Sequence, residues 1–398
     1  MMKNSRGKKP SSFWIAVPRF FAWPIFKLKY NIHVDKARIK GIKPPFVLLC
    51  NHGARIDPVL VMCSIYPIKA NFVGSYEFFK NKFLNWYFGK LGAIPKFQYQ
   101  TDLSVMKDML KVVKRGGVLA LHPAGRLPSC GRGFEMPDGL AKLVKLTNVP
   151  VVCCLLHGTY LTKPKWAHNK RIGRMDIEYY PLFTKDDVKN MEICQISHIL
   201  NENLMFNDYE WNRDKQYKFG KKRLAEGLET TLFHCPKCKK DFKISTSNNT
   251  INCECGFNLK INPTGFFEKN KYYEHPDQWF EDQRIHINNL IDSQEDSILL
   301  NDDCDVIATN IDTNTEQKGQ GKVELLKDSI KFSGLIDSIT LEKTFDITTL
   351  FSIPYKAGEN FEVSDGPIIY KFILKNGRKA AEYCLMVEEL YKRRQMVE

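Results

Sequence analysis

Asn51-His52-Gly53-Ala54-Arg55-Ile56-Asp57 places an imidazole and a carboxylate five positions apart. A neutral imidazole can take a proton from a hydroxyl near neutral pH. A carboxylate that accepts from the other ring nitrogen fixes the tautomer and stabilises the imidazolium. No protein nucleophile is needed if the substrate itself brings the hydroxyl. Asp57 also precedes Pro58, so it reads equally as a helix N-cap, with His52 as a satisfied loop histidine. A second constellation lies downstream. Cys235-Pro236-Lys237-Cys238 and Cys253-Glu254-Cys255-Gly256 are two close cysteine pairs separated by fourteen residues. Pairs of this kind match a tetrahedral four-cysteine zinc site closing a small β-ribbon. Protein fills all four positions, so the expected zinc is structural. The second pair is one residue shorter than usual, which leaves His234 as an alternative ligand. Cys50, Cys63, Cys153 and Cys154 fall in apolar runs and read as core.

The elements that must position His52 alternate between short apolar runs and helical periods. Phe46 to Cys50 reads as a buried strand, followed by a helix from Asp57 to about Ile65. Further strands are expected at Ala70 to Val73, Val118 to Leu121, Val149 to Leu156 and Met175 to Leu182. Helices are expected around Phe78 to Tyr87, over Leu103 to Val113 behind a cap at Asp102, over Pro137 to Leu146 and over Met191 to Leu204. This alternation predicts an α/β fold with a mostly parallel central sheet flanked by helices. Chemistry in such sheets sits in loops beyond the carboxyl ends of strands. Two loops qualify: Asn51-His52, and His122-Pro123-Ala124-Gly125-Arg126. His157 ends another strand and reads more readily as core.

Behind the cysteine pairs the pattern changes. Asp277 to Leu290 reads as a helix. Ser297 to Ile311, Lys322 to Ser333, Ser338 to Pro354, Phe361 to Ser364 and Ile368 to Leu374 read as strands. Lys379 to Arg394 reads as a closing amphipathic helix. Strands followed by one terminal helix resemble, in order alone, a pleckstrin-homology (PH)-like β-barrel with closing helix.

Charge is divided along the chain. Residues 1–234 hold 38 Lys+Arg against 18 Asp+Glu, a balance of +20; the remainder of the 59 and 45 leaves 21 against 27, a balance of −6. A basic front module suits an anionic partner. Its first 30 residues interleave Phe13, Trp14, Phe20, Phe21, Trp23 and Phe26 with Arg19, Lys27 and Lys29, behind Lys3, Arg6, Lys8 and Lys9. Aromatic anchors with flanking cations suit a segment lying in an anionic membrane interface; a core helix of the first domain is the structural alternative. A nucleic-acid-binding ribbon would carry its positive charge near and after the cysteines; here the excess sits ahead of the ribbon and the downstream half is acidic, so no nucleic acid is expected. With 43% hydrophobic and 26% charged residues, a largely disordered chain is excluded. No apolar run is long enough to read as a spanning helix. The apolar stretch behind the basic start is broken by Pro18, Arg19 and Pro24, so no secretory signal is expected.

Residues 45 to 205 resemble the glycerophospholipid acyltransferase family. Asn51, His52 and Asp57 match its first block, Asn-His followed by four residues and Asp. Gly92 and Ile94 match the second, and Val149 to Val152 the fourth. His122-Pro123-Ala124-Gly125-Arg126-Leu127-Pro128 is similar to the third, Phe-Pro-Glu-Gly-Thr-Arg-Ser. Ala124 departs from the family's Glu, Leu127 stands at its phosphate-binding Arg, and Gln98 ends the second block where the family has Arg. The resemblance implies acyl transfer from an acyl thioester, acyl-CoA or acyl-carrier protein, to the hydroxyl of a lysophosphatidate-type phospholipid. His52 would be the general base supported by Asp57, and amides of the Gly125 loop would face the oxyanion. Lys96, Arg126 and Arg132 would supply charge for phosphate. No catalytic cofactor is implied. The alternative is an idle relative that binds lipid or tethers partners, kept open by Ala124.

The expected organisation is therefore a membrane-interface segment (1–30), an acyltransferase domain (31–232), a zinc ribbon (233–266) and a PH-like domain (267–398). The expected location is the cytoplasmic face of a membrane, as a peripheral, monotopic protein.

Overall fold

The computed structural model describes residues 6–96, 103–294 and 298–395. Lys3, Gln98, Asp102 and Ser297, named above, lie outside the described residues. The chain divides into two compact units, Met1–Pro164 with Lys170–Gly220, and Lys165–Asn169 with Lys221–Glu398.

The first unit opens with α1 (Ser12–Lys29), β1 (Ile32–Asp35), β2 (Phe46–Cys50), α2 (Asp57–Ser64), β3 (Ala70–Ser75), α3 (Lys82–Lys90) and β4 (Ile94–Lys96). It continues with α4 (Leu103–Lys114), β5 (Val118–Leu121), α5 (Gly139–Thr147), β6 (Val151–His157), the short α6 (Thr159–Thr162), β7 (Met175–Phe183), α7 (Lys185–Asn190), α8 (Ile193–Leu204) and α9 (Asp208–Arg213). Seven strands form one sheet in the order β1-β7-β6-β2-β5-β3-β4. Every pair in it is parallel except β6 with β7. Helices cover both faces. Phe46, Leu48 and Cys50 of β2 pack with Ile15 and Trp23 of α1 and Leu60 of α2. Val47 and Leu49 pack with Val112 of α4 and Leu140 of α5 on the opposite face. Burial on both faces is why β2 reads as an unbroken apolar run rather than an alternation. The helix expected around Phe78 to Tyr87 divides into a 3-10 turn (Tyr76–Phe79) and α3, because Asn81 caps a fresh start by accepting from Leu84 N. β1 was not legible: four residues on a sheet edge give too short a pattern.

In the second unit, β8 (Ile244–Ser247), β9 (Thr250–Cys253) and β10 (Asn258–Lys260) form a three-stranded antiparallel ribbon. α10 (Pro276–Ser293) follows. Then come β11 (Ile298–Asn310), β12 (Thr315–Leu326), β13 (Ser329–Ile336), β14 (Ile339–Asp346), β15 (Tyr355–Lys356), β16 (Asn360–Asp365), β17 (Ile368–Leu374) and α11 (Lys379–Gln395). These seven strands form an antiparallel sheet in the order β14-β13-β12-β11-β17-β16-β15.

Three expectations change here. Lys322 to Ser333 is not one strand, because the chain turns at Lys327-Asp328 between β12 and β13. Ser338 to Pro354 is cut at Asp346, whose side chain accepts from Thr348 N and starts a 3-10 turn. α11 also lacks the expected polar face: every residue from Ala380 to Leu390 is buried. Glu388 and Glu389 are covered by α10, where Arg284 Nη1 meets Glu389 at 2.6 Å and Glu388 at 3.3 Å, and Asn288 donates to Glu389 at 2.7 Å.

α10 grips the ribbon with its other side chains. Gln283 accepts from the amides of Phe233 and His234 and donates to Thr231 O. Trp279 Nε1 donates to His234 O at 2.8 Å. Asp241 takes His234 Nδ1 at 2.7 Å and His286 Nε2 at 3.2 Å, with the two imidazoles stacked 3.6 Å apart. Arg378, just before α11, donates to the carbonyls of Glu229, Phe242 and Ile244 at 3.1, 3.2 and 2.8 Å.

Candidate active site

β2 sits at the middle of its sheet and delivers residues 51–57 at its carboxyl end. Asn51 fixes the exit. Its Nδ2 donates to Leu156 O at 2.8 Å, and its Oδ1 accepts from Leu156 N at 2.7 Å, so the loop is pinned to the end of β6. His52 Nδ1 lies 3.0 Å from Asp57 Oδ2. The same oxygen accepts from Gly53 N at 2.7 Å and Ala54 N at 2.9 Å. Asp57 is fully buried, and its Oδ1 has no hydrogen-bond partner among the described residues. The carboxylate therefore points back into the loop and does not cap its own helix. It orders the loop and, with Nδ1–H held, leaves His52 Nε2 as the ring's basic nitrogen.

The second loop brings another imidazole. The His122 ring stacks on His52 with centroids 4.5 Å apart and planes tilted by 33°. His122 Nδ1 lies 2.8 Å from Asn51 O. A carbonyl only accepts, so Nδ1 carries the proton. Burial, with His52 as neighbour, pushes the His122 pKa down to about 3. His122 is thus neutral at neutral pH and does not compete with His52 for a proton. Gly125 has φ +66°, open to glycine and costly for other residues, and its amide donates to His122 O at 3.0 Å. That amide closes the turn, so an oxyanion would turn to its neighbours. Ala124 packs against the core.

The expected phosphate cations are dispersed among several elements. Arg126 lays its guanidinium 3.5 Å from the Phe134 ring. Arg132 forms a β-bridge with Asn207. Lys96 ends β4, in register with Ser75. His157 stacks on Trp211, 5.5 Å away, and burial pushes its pKa down to about 4. Sequence reasoning missed the roles of Asn51 and His122. His122 stands where the third block resembles Phe, the one signal that could have raised it.

The cysteine cluster is built by the ribbon's two turns. Cys235, Cys238, Cys253 and Cys255 offer sulfurs that all lie within 4.8 Å of one another. Cys235–Cys255 and Cys238–Cys253 are each 3.8 Å apart. A tetrahedron of thiolates about 2.3 Å from zinc has edges of about 3.8 Å, so the donor set fits that ion. His234 is held by Asp241 and stands outside this group.

Comparison with known proteins locates the His52 loop within a described family. The acyltransferase family model matches residues 29–157. The 1-acyl-sn-glycerol-3-phosphate acyltransferase of Bacillus subtilis (strain 168) is 23% identical over 113 residues, 28% of this chain and 56% of that one. The protein of the same name from Cocos nucifera is 24% identical over 156 residues, 37% of this chain and 48% of that one. The chain thus spans about half the length of the curated relatives it matches. The crystal structure of the 1-acyl-sn-glycerophosphate (LPA) acyltransferase PlsC from Thermotoga maritima aligns with a TM-score of 0.42 at 17% identity, over 50% of this chain and 79% of that one.

Proposed function

Residues 29–157 belong to the acyltransferase family, and from that premise we propose that the chain is an O-acyltransferase. It moves a fatty acyl group from an acyl thioester, carried by coenzyme A or acyl-carrier protein, to a lysophosphatidate-type hydroxyl. The observation that carries this reading is the His52–Asp57 contact at 3.0 Å inside the matched segment. His52 Nε2 takes the proton of the acceptor hydroxyl as its oxygen attacks the thioester carbonyl. Asp57 holds Nδ1–H and balances the imidazolium. Backbone amides beside Gly125 receive the oxyanion, and collapse of the tetrahedral species expels the thiolate, which takes up the proton. Lys96, Arg126 and Arg132 supply charge to the acceptor phosphate. No cofactor takes part in these steps. Purified protein incubated with lysophosphatidate and labelled acyl thioester should yield labelled phosphatidate. Absence of product with both donor types would end this reading.

The same proposal assigns one structural zinc to Cys235, Cys238, Cys253 and Cys255. It gives the C-terminal strands and α11 a PH-like arrangement, supported by the strand order in which the first four strands meet the last three through β11 and β17.

It also places the enzyme on the cytoplasmic face of an anionic membrane through α1. Among the described residues no helix is long and apolar enough to cross a membrane. α1 has two faces: Ile15 and Trp23 are in the core, while Phe20, Phe21 and Leu28 are 71%, 74% and 85% exposed. Trp14 packs edge-on against Trp86 of α3, 4.8 Å away, and Phe83 adds a further exposed ring. Neither helix has an acid in its first turn, and each ends in lysine. Deleting residues 1–30 would strip Ile15, Trp23 and Tyr30 from the core, so substitution is the cleaner test. Exchange of Phe20, Phe21 and Leu28 for Ser should weaken sedimentation with anionic vesicles at least tenfold, since each side chain contributes about 1.5–3 kcal/mol when fully buried. Salt should weaken wild-type binding without abolishing it, because the apolar contribution is unscreened. Undiminished binding of the triple variant would place the anchor elsewhere.

A further inference from the structure

Asp208 opens α9, beyond the residues that the family model matches. It is fully buried, yet among the described residues no cation pairs with it. Its Oδ1 accepts from Gly158 N and its Oδ2 from Tyr160 N, each at 3.0 Å. These amides belong to the turn where β6 passes into α6. Burial pushes the Asp208 carboxyl up to about 7, against the opposing pull of backbone donors at Gly158, Leu161 and Tyr160. A carboxylate kept in such a place is costly unless its hydrogen bonds are needed.

The peptide it grips is the one on which the His52 loop leans. A Cβ on Gly53 would press into Thr159 Oγ1 and lie 2.9 Å from Tyr160 N. Only glycine allows that approach. The Tyr160 amide thus sits between Asp208 on one side and Gly53 on the other. The second active-site loop is tied to the same place. Asp208 N donates to Gly131 O at 3.1 Å, and Gly133 N donates to Phe206 O at 2.8 Å. Tyr160 Oη donates to Ser129 O at 3.1 Å. Residues 206–208 therefore strap the His122–Gly133 loop to the β6 exit, and that exit supports the His52 loop.

We infer that Asp208 is a positioning residue, which sets the His52–Asp57 pair against the His122 loop through the Gly158–Tyr160 peptides. The inference rests on the acyltransferase reading for its kinetic effect, but not for its geometric one. Without the carboxylate, two buried amides lose their acceptors and the support beneath Gly53 shifts. Misplacement of a catalytic group by about 1 Å costs on the order of 10²-fold in rate.

The test uses the full chain. Asp208→Ala should lower kcat on the order of 10²-fold per folded molecule, with the acceptor KM held within about twofold, since the contact acts on the transition state. Asp208→Asn keeps one acceptor oxygen and should recover part of the loss. Gly53→Ala should reproduce the same split by pushing on the Tyr160 peptide from its other side. An activity-independent reading comes from the NMR signal of the His52 Nδ1 proton bonded to Asp57. It should be sharp in the wild type and broadened or lost in Asp208→Ala. Unchanged kcat per folded molecule together with an unchanged His52 signal overturns the inference. Should Asp208→Ala fail to fold, Asp208→Asn and Gly53→Ala decide by the same two measurements. If the wild type transfers no acyl group while the His52 signal still responds, the functional reading falls and the positioning role stands.

Discussion

His52→Ala is expected to abolish acyl transfer while leaving the fold in place. The side chain is partly exposed, and its contacts are the Asp57 oxygen and the His122 ring. Neither contact carries the core. Loss of a general base costs on the order of 10²- to 10⁴-fold in rate, so turnover on a lysophosphatidate acceptor should fall by at least that lower factor. The melting temperature should barely move. Asp57→Asn should behave differently, lowering both. Its Oδ2 serves Gly53 N, Ala54 N and the imidazole at once, and an amide group in its place presents hydrogens to one or more of those donors. Near-normal turnover by folded His52→Ala protein would refute the mechanism. His122 cannot substitute readily, because its Nδ1 is committed to Asn51 O and burial holds it neutral.

Exchange of Cys235 or Cys253 for Ser is expected to release the zinc and unfold the ribbon. Structural zinc contributes about 10–16 kcal/mol in small cysteine-rich peptides, comparable with the whole stability of an ordinary domain, about 5–15 kcal/mol. β8 to β10 run only four, four and three residues, so without the metal the bonds from Gln283, Trp279 and Arg378 have little regular structure to hold. Elemental analysis of protein purified without added metal should give about one zinc per chain in the wild type and close to none in either variant. Thiols must lose their protons to bind as thiolates, so acidification should release the metal and chelators should do the same at neutral pH. A zinc-free wild type with an intact ribbon would refute the assignment.

The parts of this fold that were legible share a physical cause. β2, β5 and β6 lie between two helical layers, so both faces select apolar residues and the runs stand out. His52 and Asp57 were legible because one loop holds both. The cysteines were legible because two close pairs are the spacing that a tetrahedral metal site would require. The contacts of Asn51, His122 and Asp208 were not, since each joins residues 48 to 105 positions apart that only the folded sheet brings together. The start of β12 was hidden for another reason. Thr315 to Lys318 is exposed and polar, and takes its strand form from the β11 backbone rather than from side-chain burial. In α11 the misleading signal was Glu388 and Glu389, which the sequence shows as charged but cannot show as paired with Arg284.

Arg378 makes the ribbon and the closing sheet heritable only together. Its guanidinium supplies three carbonyls of the ribbon and its approach, yet the residue is encoded more than a hundred positions downstream of them. A recombination event between Phe266 and Pro276 would send the donor to one descendant and its acceptors to another. One descendant would keep bare carbonyls at the ribbon's edge; the other would carry a cation evolved for a wall it no longer has. A crossover near Gly220 severs none of these bonds. Among relatives, the cysteine pairs and a matching arginine before the last helix should therefore be gained or lost as a single cassette.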